Sequence, residues 1–416
     1  MQNLESKLSI DEISKDIRNQ AITTREVNNH VHSTYSFSPY SPTEIIIEAI
    51  KAGLQTIGLM DHDTVAGAEE FLIAGKKLGI ATTVGCEIRV RLDIEKYKNK
   101  HINNPDEPNI IYIALHGIPR RSFGKAQSFL EPIRLARKER MHQETKKLNA
   151  LLSERGVDLT INFKEDIVNA SKYTVGGTIT ERHILFSLAN TLIKKSKNRL
   201  DLVNRVEGIL NNKINNEMRI QLLDEVGSVC AYDLLGLFKS SLVSEFFIPS
   251  SNDECPTAKE AISFSNSIGS IASYAYLGDV GSSPTGDKKP QIFEDSFLEY
   301  LIADLKEIGF QAVTYMPPRN TYEQLDRLQK LCKKYRLMEI SGVDINSPGQ
   351  SFNCPILLES KFIHLVDAAW ALIAHEKLTE KDPSKGLFYN KNLNDNESIE
   401  NLIKEYANIG KRLDPS

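Results

Sequence analysis

His30 and His32 stand two residues apart in NNHVHSTYSFSPYSPTEI, residues 28 to 45. On a strand both imidazoles lie on one face and can converge on one ion, although two incidental strand histidines show the same spacing. Further ionisable residues end short apolar runs. Asp61, His62 and Asp63 close LQTIGLMDHD, Glu87 closes IATTVGCE, His116 closes NIIYIALHG, and Asp344 follows LMEISGV. His32, His62, Glu87 and His116 are separated by 30, 25 and 29 residues, each about one strand–helix unit. In a closed parallel barrel the C-terminal strand ends share one rim, where active sites lie. Imidazole and carboxylate together suit zinc, iron or manganese, and a carboxylate such as Glu87 can bridge two ions.

Each residue also has a plainer reading. Asp61 and Asp63 sit where carboxylates cap helix N-termini. Glu87 in TTVGCEIRV needs a partner if buried, which a metal, Arg89 or Arg91 would supply. His116 before Gly117 is either a ligand or a strand-end histidine.

The elements that must position these residues alternate. TEIIIEAIKAG (43–53) has helical apolar spacing, with Ser41 and Pro42 as start signals and a glycine stop. TVAGAEEFLIAGKKLG reads as a helix with Thr64 near its cap and Gly79 past its end. NIIYIALHG, isoleucine-rich and closed by glycine, reads as a strand. Short strand and helix runs in alternation predict a mostly parallel sheet, open or closed. Between about 119 and 250 the strand rhythm gives way to helix, opening on EPIRLARKERMHQETKKLNALLSERG. From 120 to 155 there are ten Lys and Arg against four Glu, which reads as a solvated helix surface or as a basic cap over an anion-binding cleft. Near 259 the rhythm resumes through SIASYAYLGD, FQAVTYMPPR and LMEISGVDINSPG, then HLVDAAWALIAHEKLTE as an amphipathic helix and a polar tail. These shifts divide the chain into 25–120, a mainly helical insertion 121–250, 251–375 and a C-terminal extension 376–416.

The 416-residue chain is 41% hydrophobic and 25% charged, with a net charge of -4. That composition is globular and argues against a general nucleic-acid or membrane-surface binder. Five cysteines without a Cys-x-x-Cys pair fit a reduced intracellular chain better than a disulfide framework or zinc ribbon. The N-terminal MQNLESKLSIDEISK has no apolar core for a signal peptide. No window approaches the roughly 18 uncharged apolar residues of a membrane span. A soluble, cytoplasmic protein is expected.

HVHSTYS, GLMDHDTVAG, VGCEIRV and ALHGIP resemble successive motifs of the PHP family, named for polymerase and histidinol phosphatase. The stand-alone metal-dependent phosphoesterase branch is the most similar. TERHIL (180–185) resembles that branch's Arg-Pro-His segment, and AVTYMPPRNTYEQLDRLQKLCKKYRLMEISGVDIN resembles its last strands. The similarity runs in order over roughly residues 26 to 350. It implies a distorted (β/α)7, TIM-like barrel with a helical insertion, and metal ions at the C-terminal strand ends. It also implies hydrolysis of a small phosphorylated substrate, nucleic acid entering only as a substrate.

Six family ligand places match: His30, His32, His62, Glu87, His116 and Asp344. Three depart, with Phe37 in place of a carboxylate, and Tyr276 and Asn346 in place of histidines. A phenol or amide is a poor substitute for imidazole. The resemblance therefore implies a complete first site of His30, His32, Glu87 and Asp344, a weaker second of Glu87 and His116 with Tyr276 as a substituted ligand, and a third that keeps His62 but has lost ligands to Phe37 and Asn346, with Asp61 and Asp63 behind them. One or two divalent ions (zinc, manganese or iron) are expected, with a metal-activated water as nucleophile. Arg182, His183 and Arg319 are candidates for phosphate contact or for structural pairing, and His183 is the candidate general acid. The rival expectation is a degenerate, non-catalytic PHP-fold binding or regulatory protein.

Overall fold

The computed structural model describes residues 24–224, 230–281, 292–389 and 398–414; the N-terminal lead read above lies outside them. Seven strands form one sheet in chain order: β1 (Val27–Val31), β2 (Thr56–His62), β3 (Ala81–Arg91), β4 (Ile110–His116), β5 (Ile271–Ala275), β6 (Ala312–Tyr315) and β7 (Met338–Ser341). Neighbours are parallel except around β4, which runs antiparallel to both β3 and β5. The all-parallel rim expected from spacing is thus corrected at β4. The β3–β4 connection holds only a 3-10 turn, Glu95–Tyr97, and without a crossover helix the chain returns antiparallel.

The sheet nearly closes on itself. Asn28 Nδ2 donates to the Val343 carbonyl at 3.1 Å, Asn29 Nδ2 to the Ser341 carbonyl at 2.9 Å, and the His32 amide to the Ile345 carbonyl at 3.0 Å. Gly342 permits this approach, since a Cβ there would sit 2.4 Å from the His30 Cβ.

Helix α1 (Pro42–Lys51) starts with a capping box between Ser41 and Glu44 and with proline in its first turn, as its signals predict. Helix α2 (Ala68–Leu78) stops at Gly79 with φ 72°. Its N-cap is Gly67, so neither Thr64 nor Asp63 caps it.

Helix α3 (Phe123–Glu154) belongs to two cores. Ala126, Leu130 and Ile133 pack into the barrel's outer apolar layer, while Met141, Leu148 and Leu152 enter a second core. That second core continues through α4 (Glu181–Lys195), α5 (Arg199–Leu210), α6 (Asn216–Leu223), α7 (Cys230–Ser241) and α8 (Val243–Phe246). The basic surplus on α3 is not a solvated face throughout. Arg134, Arg137 and Arg140 are buried, and their partners Asp63, Glu181 and Glu254 come from other segments.

Helices α9 (Ala258–Ile268), α10 (Leu298–Ile308) and α11 (Tyr322–Tyr335) restore the strand–helix alternation. Helix α12 (His364–Lys381) is buried on nearly every side rather than amphipathic. It packs on Ile271, Ala312, Met338 and Ile340 of the barrel strands, and α13 (Ile399–Leu413) packs against it. The expected division at 375/376 therefore falls inside one continuous helix.

A candidate metal centre at the barrel rim

Parallel pairing sets His62 of β2 directly beside Glu87 of β3. His30 lies on β1 and His32 one residue beyond its end, on the same face by strand alternation. The result is one carboxylate oxygen facing three imidazoles. Glu87 Oε2 lies 3.1 Å from His62 Nδ1, 3.7 Å from His30 Nε2 and 3.8 Å from His32 Nε2. Asp344, three residues past β7, brings Oδ1 to 3.2 Å from His32 Nε2. The His32 and His62 rings stack at 4.5 Å.

A chain of hydrogen bonds fixes His32. Ser36 Oγ donates to Asp61 Oδ1 at 2.6 Å and meets His32 Nδ1 at 3.3 Å. With the Ser36 proton given to Asp61, His32 Nδ1 is the donor to Ser36, and the Nε2 lone pair faces Glu87 and Asp344. Asp61 also accepts the Ser33 amide at 2.7 Å and the Ser33 hydroxyl at 2.6 Å. It therefore stands behind the cluster, orienting a ring. Such outer-shell support is the usual arrangement around ligating histidines.

Electrostatics follow from this crowding. Burial raises the Glu87 pKa, but the neighbouring His62, His30 and His32 imidazoles outweigh it and bring it down to about 2. Burial opposes charge on His62, and despite Glu87 its pKa falls well below the usual histidine value. For Asp344, burial is outweighed by the hydrogen bond and charge of His32, holding its carboxyl well below the ordinary range.

His116 occupies the face of Glu87 in spite of its strand's reversed direction, because Ala114 pairs with Glu87 and His116 lies two residues on. Its ring is buried, Nε2 has no hydrogen-bond partner, and burial together with His30 pushes its pKa down to about 3.

The donor set fits a divalent ion. Ligand atoms of His30, His32 and Glu87 all lie within 4.8 Å of one another, Asp344 adds a carboxylate, and the buried His116 Nε2 is left without a hydrogen-bond partner.

The other expected site residues divide. Asn346 Nδ2 donates to Asp344 Oδ1 at 2.7 Å, so it braces a candidate ligand. Asp63, with φ 52°, takes Arg137 Nη1 on Oδ2 at 2.6 Å. Tyr276 departs most from expectation. Ile271, Ser273 and Ala275 share the face of His116, leaving Tyr276 on the opposite parity with its hydroxyl donating to Asp295 Oδ1 at 2.6 Å. Phe37 turns into the insertion core, with ring contacts to His183, Phe186 and Tyr232. Arg319 is buried and donates Nε to the Leu277 carbonyl at 3.1 Å.

Arg182 lies near enough to Asp344 for its charge to lower that carboxyl. His183 Nδ1 accepts the Thr180 amide at 3.0 Å in a cap, and burial and Arg137 push its pKa down to about 3. His183 is therefore a neutral imidazole offering Nε2–H, a hydrogen-bond donor rather than a cationic acid.

Sequence reading missed Ser33 and Ser36, whose signal was the serine-rich HSTYS run, and the acidic partners of α3. Nothing local marks Asp63, Glu181 or Glu254 as those partners.

The PHP domain profile matches residues 28–335. A 5'-3' exoribonuclease of Haemophilus influenzae is 43% identical over 65 residues, 16% of this chain and 24% of that protein. An error-prone DNA polymerase of Nocardia farcinica is 44% identical over 61 residues, 14% of this chain and 5% of that one. The matches thus span less than a quarter of either curated relative. In fold, an amidohydrolase of Chromobacterium violaceum aligns with TM-score 0.51 at 18% identity, covering 79% of this chain and 90% of that one. A candidate metal-dependent phosphoesterase of Bifidobacterium adolescentis aligns with TM-score 0.50 at 19% identity and the same coverages. With its nearly closed seven-stranded sheet and a profile match over residues 28–335, the chain belongs to the PHP domain family.

Proposed function

We propose that this chain is a metal-dependent hydrolase of phosphate esters, its first ion held by His30, His32, Glu87 and Asp344. The observation that carries the reading is the single Glu87 oxygen surrounded by three imidazole nitrogens at 3.1 to 3.8 Å. Most of these contacts are longer than hydrogen bonds, as expected of donors that share an ion. Zinc, manganese or iron would supply Lewis acidity that acidifies water and offsets phosphoryl charge. The protein's own groups do the rest. Ser36 and Asp61 hold the His32 ring, Asn346 holds Asp344, and Arg182 adds a cation beside the cluster for a phosphoryl oxygen. His183 offers a neutral N–H donor, leaving the leaving group's proton to come from another source. His116, together with Glu87, would hold a second, weaker ion. With Tyr276 and Phe37 turned elsewhere, a reduced site of one or two ions follows.

The exoribonuclease name of a partial relative and the phosphoesterase name of one fold neighbour support phosphoester chemistry, while the other fold neighbour is named an amidohydrolase. The test is metal counting by mass spectrometry on wild type and His32→Ala, with assays on phosphomonoesters and phosphodiesters with and without added manganese. Bound metal and hydrolysis that both vanish in His32→Ala support the reading. Absence of metal and of hydrolysis under every ion tried overturns it in favour of a binding protein.

A further inference from the structure

A second cleft lies beside this site. It encloses about 400 Å³ between one face of α3 (Glu131, Arg134, Leu135, Lys138) and the turn carrying Tyr173, Thr174 and Gly176. None of the clustered histidines or carboxylates lines it.

The four buried arginines of this region differ in one respect. Arg89, Arg137 and Arg140 each hold carboxylates, respectively Glu107 at 3.2 Å, Asp63 at 2.6 Å and Glu144 at 2.7 Å. Arg134 is the least buried of the four, and its hydrogen bonds go to uncharged oxygens, the Asp63 carbonyl at 3.1 Å and Gln127 Oε1 at 3.0 Å. Both employ Nη1, so three of its five N–H donors remain for the cleft it lines. Burial holds the Arg134 guanidinium below the ordinary arginine value, with Asp63 offsetting only part. Glu131 lines the cleft too and its charge acts on Arg134, but no carboxylate oxygen is hydrogen-bonded to the guanidinium, which therefore gains from an anion supplied from outside. Lys138 reaches the same cleft with Nζ 4.8 Å from the Tyr173 ring centroid, and exposed Leu135 borders it.

We propose that this cleft binds a small organic anion of the phosphoryl class, its charge against Arg134 and Lys138 and its apolar part along Leu135, Val168 and Tyr173. The volume is that of a small-molecule pocket, larger than an inorganic ion needs. The site is independent of any metal, so it stands or falls apart from the hydrolase reading.

The test is calorimetric titration of the full chain in excess chelator with phenylphosphonate, which resists hydrolysis, and with inorganic phosphate. One saturable site per chain is expected, with phenylphosphonate binding several-fold tighter. Arg134→Gln should weaken binding about tenfold or more, and Lys138→Gln about threefold. Arg182→Gln should leave it unchanged. Lys138, partly exposed, keeps the test valid if Arg134→Gln melts early. Absence of saturable binding, or affinities unchanged in both cleft variants, overturns the proposal. So does loss of binding in Arg182→Gln, which would place the anion at the rim cluster. Failure of the hydrolase reading, with no bound metal and no turnover, would leave this titration unaffected.

Discussion

Two polar regions meet at the mouth of the barrel and are built on opposite terms. The network of Arg89, Arg137 and Arg140 with Asp63, Glu107, Glu144, Glu181 and Glu254 is largely buried, and every member has a charged partner, Arg137–Asp63 at 2.6 Å and Arg89–Glu107 at 3.2 Å among them. The rim cluster keeps its nitrogens 3.1 to 3.8 Å from Glu87 and leaves His116 Nε2 without any partner. The first region joins barrel to insertion by direct cation–carboxylate pairs, leaving Arg137 Nε and Glu144 Oε2 without hydrogen bonds. The second gathers imidazoles around a carboxylate with no cation of its own. Density of polar groups alone does not tell structure from function; whether the charges pair directly within the protein does.

The sharpest way to break this comparison is to cut each region. Arg140→Met leaves Glu144 without a cation and takes one of the arginines from each of Glu181 and Glu254, and should cost about 3 to 5 kcal/mol in denaturant unfolding. Metal content per folded chain should not change. His32→Ala should do the reverse. Metal affinity should fall more than about 100-fold, since outer-shell partners alone are worth about 10- to 100-fold. The melting temperature of the metal-free protein should hold or rise. If metal-free His32→Ala unfolds like Arg140→Met, the rim cluster is structural and the distinction fails.

Smaller changes sharpen it. Ser36→Ala frees the His32 ring and should lower metal affinity about tenfold by competition with a chromogenic chelator. The smallest effect concerns protons. Burial and the charge of Glu181 push the Glu144 carboxyl above its ordinary range. The folded state then holds a proton that the unfolded chain has lost above about pH 4.3, so this group's contribution to stability falls as pH rises. Glu144→Gln keeps an acceptor for Arg140 and the Ile248 amide. It should flatten the decline of the unfolding midpoint between pH 5 and about 8.

The rim was legible because strand ends recur at regular spacing, and the spacing brought His30, His32, His62, Glu87 and Asp344 to one place. Direction was not legible at β4, since a strand's sense depends on what connects it. His116 was reached for an incomplete reason, by parity with Glu87 rather than by a shared C-terminal rim. Tyr276 shows the cost of a one-residue register, because alternation turns a neighbour of the right position to the wrong face. Helix α3 looked solvated since its counter-charges lie in Asp63, Glu181 and Glu254, beyond the reach of any local window. Asp63 looked like a cap because only Arg137, 74 residues on, reveals its partner.

The seam between β1 and β7 carries a consequence for how the protein is made. Asn28 bonds to Val343 across 315 residues, and Asn29 to Ser341 across 312. Contacts of such separation form late, after their loop entropy has been met by intervening structure. The same seam brings His32 to Asp344, so the ion-binding geometry exists only once the two ends of the barrel have met. A chain still emerging from synthesis holds His30, His32 and Glu87 long before Asp344, and its grip on metal should tighten in the final step. Metal uptake followed during refolding would then time the closing of the barrel.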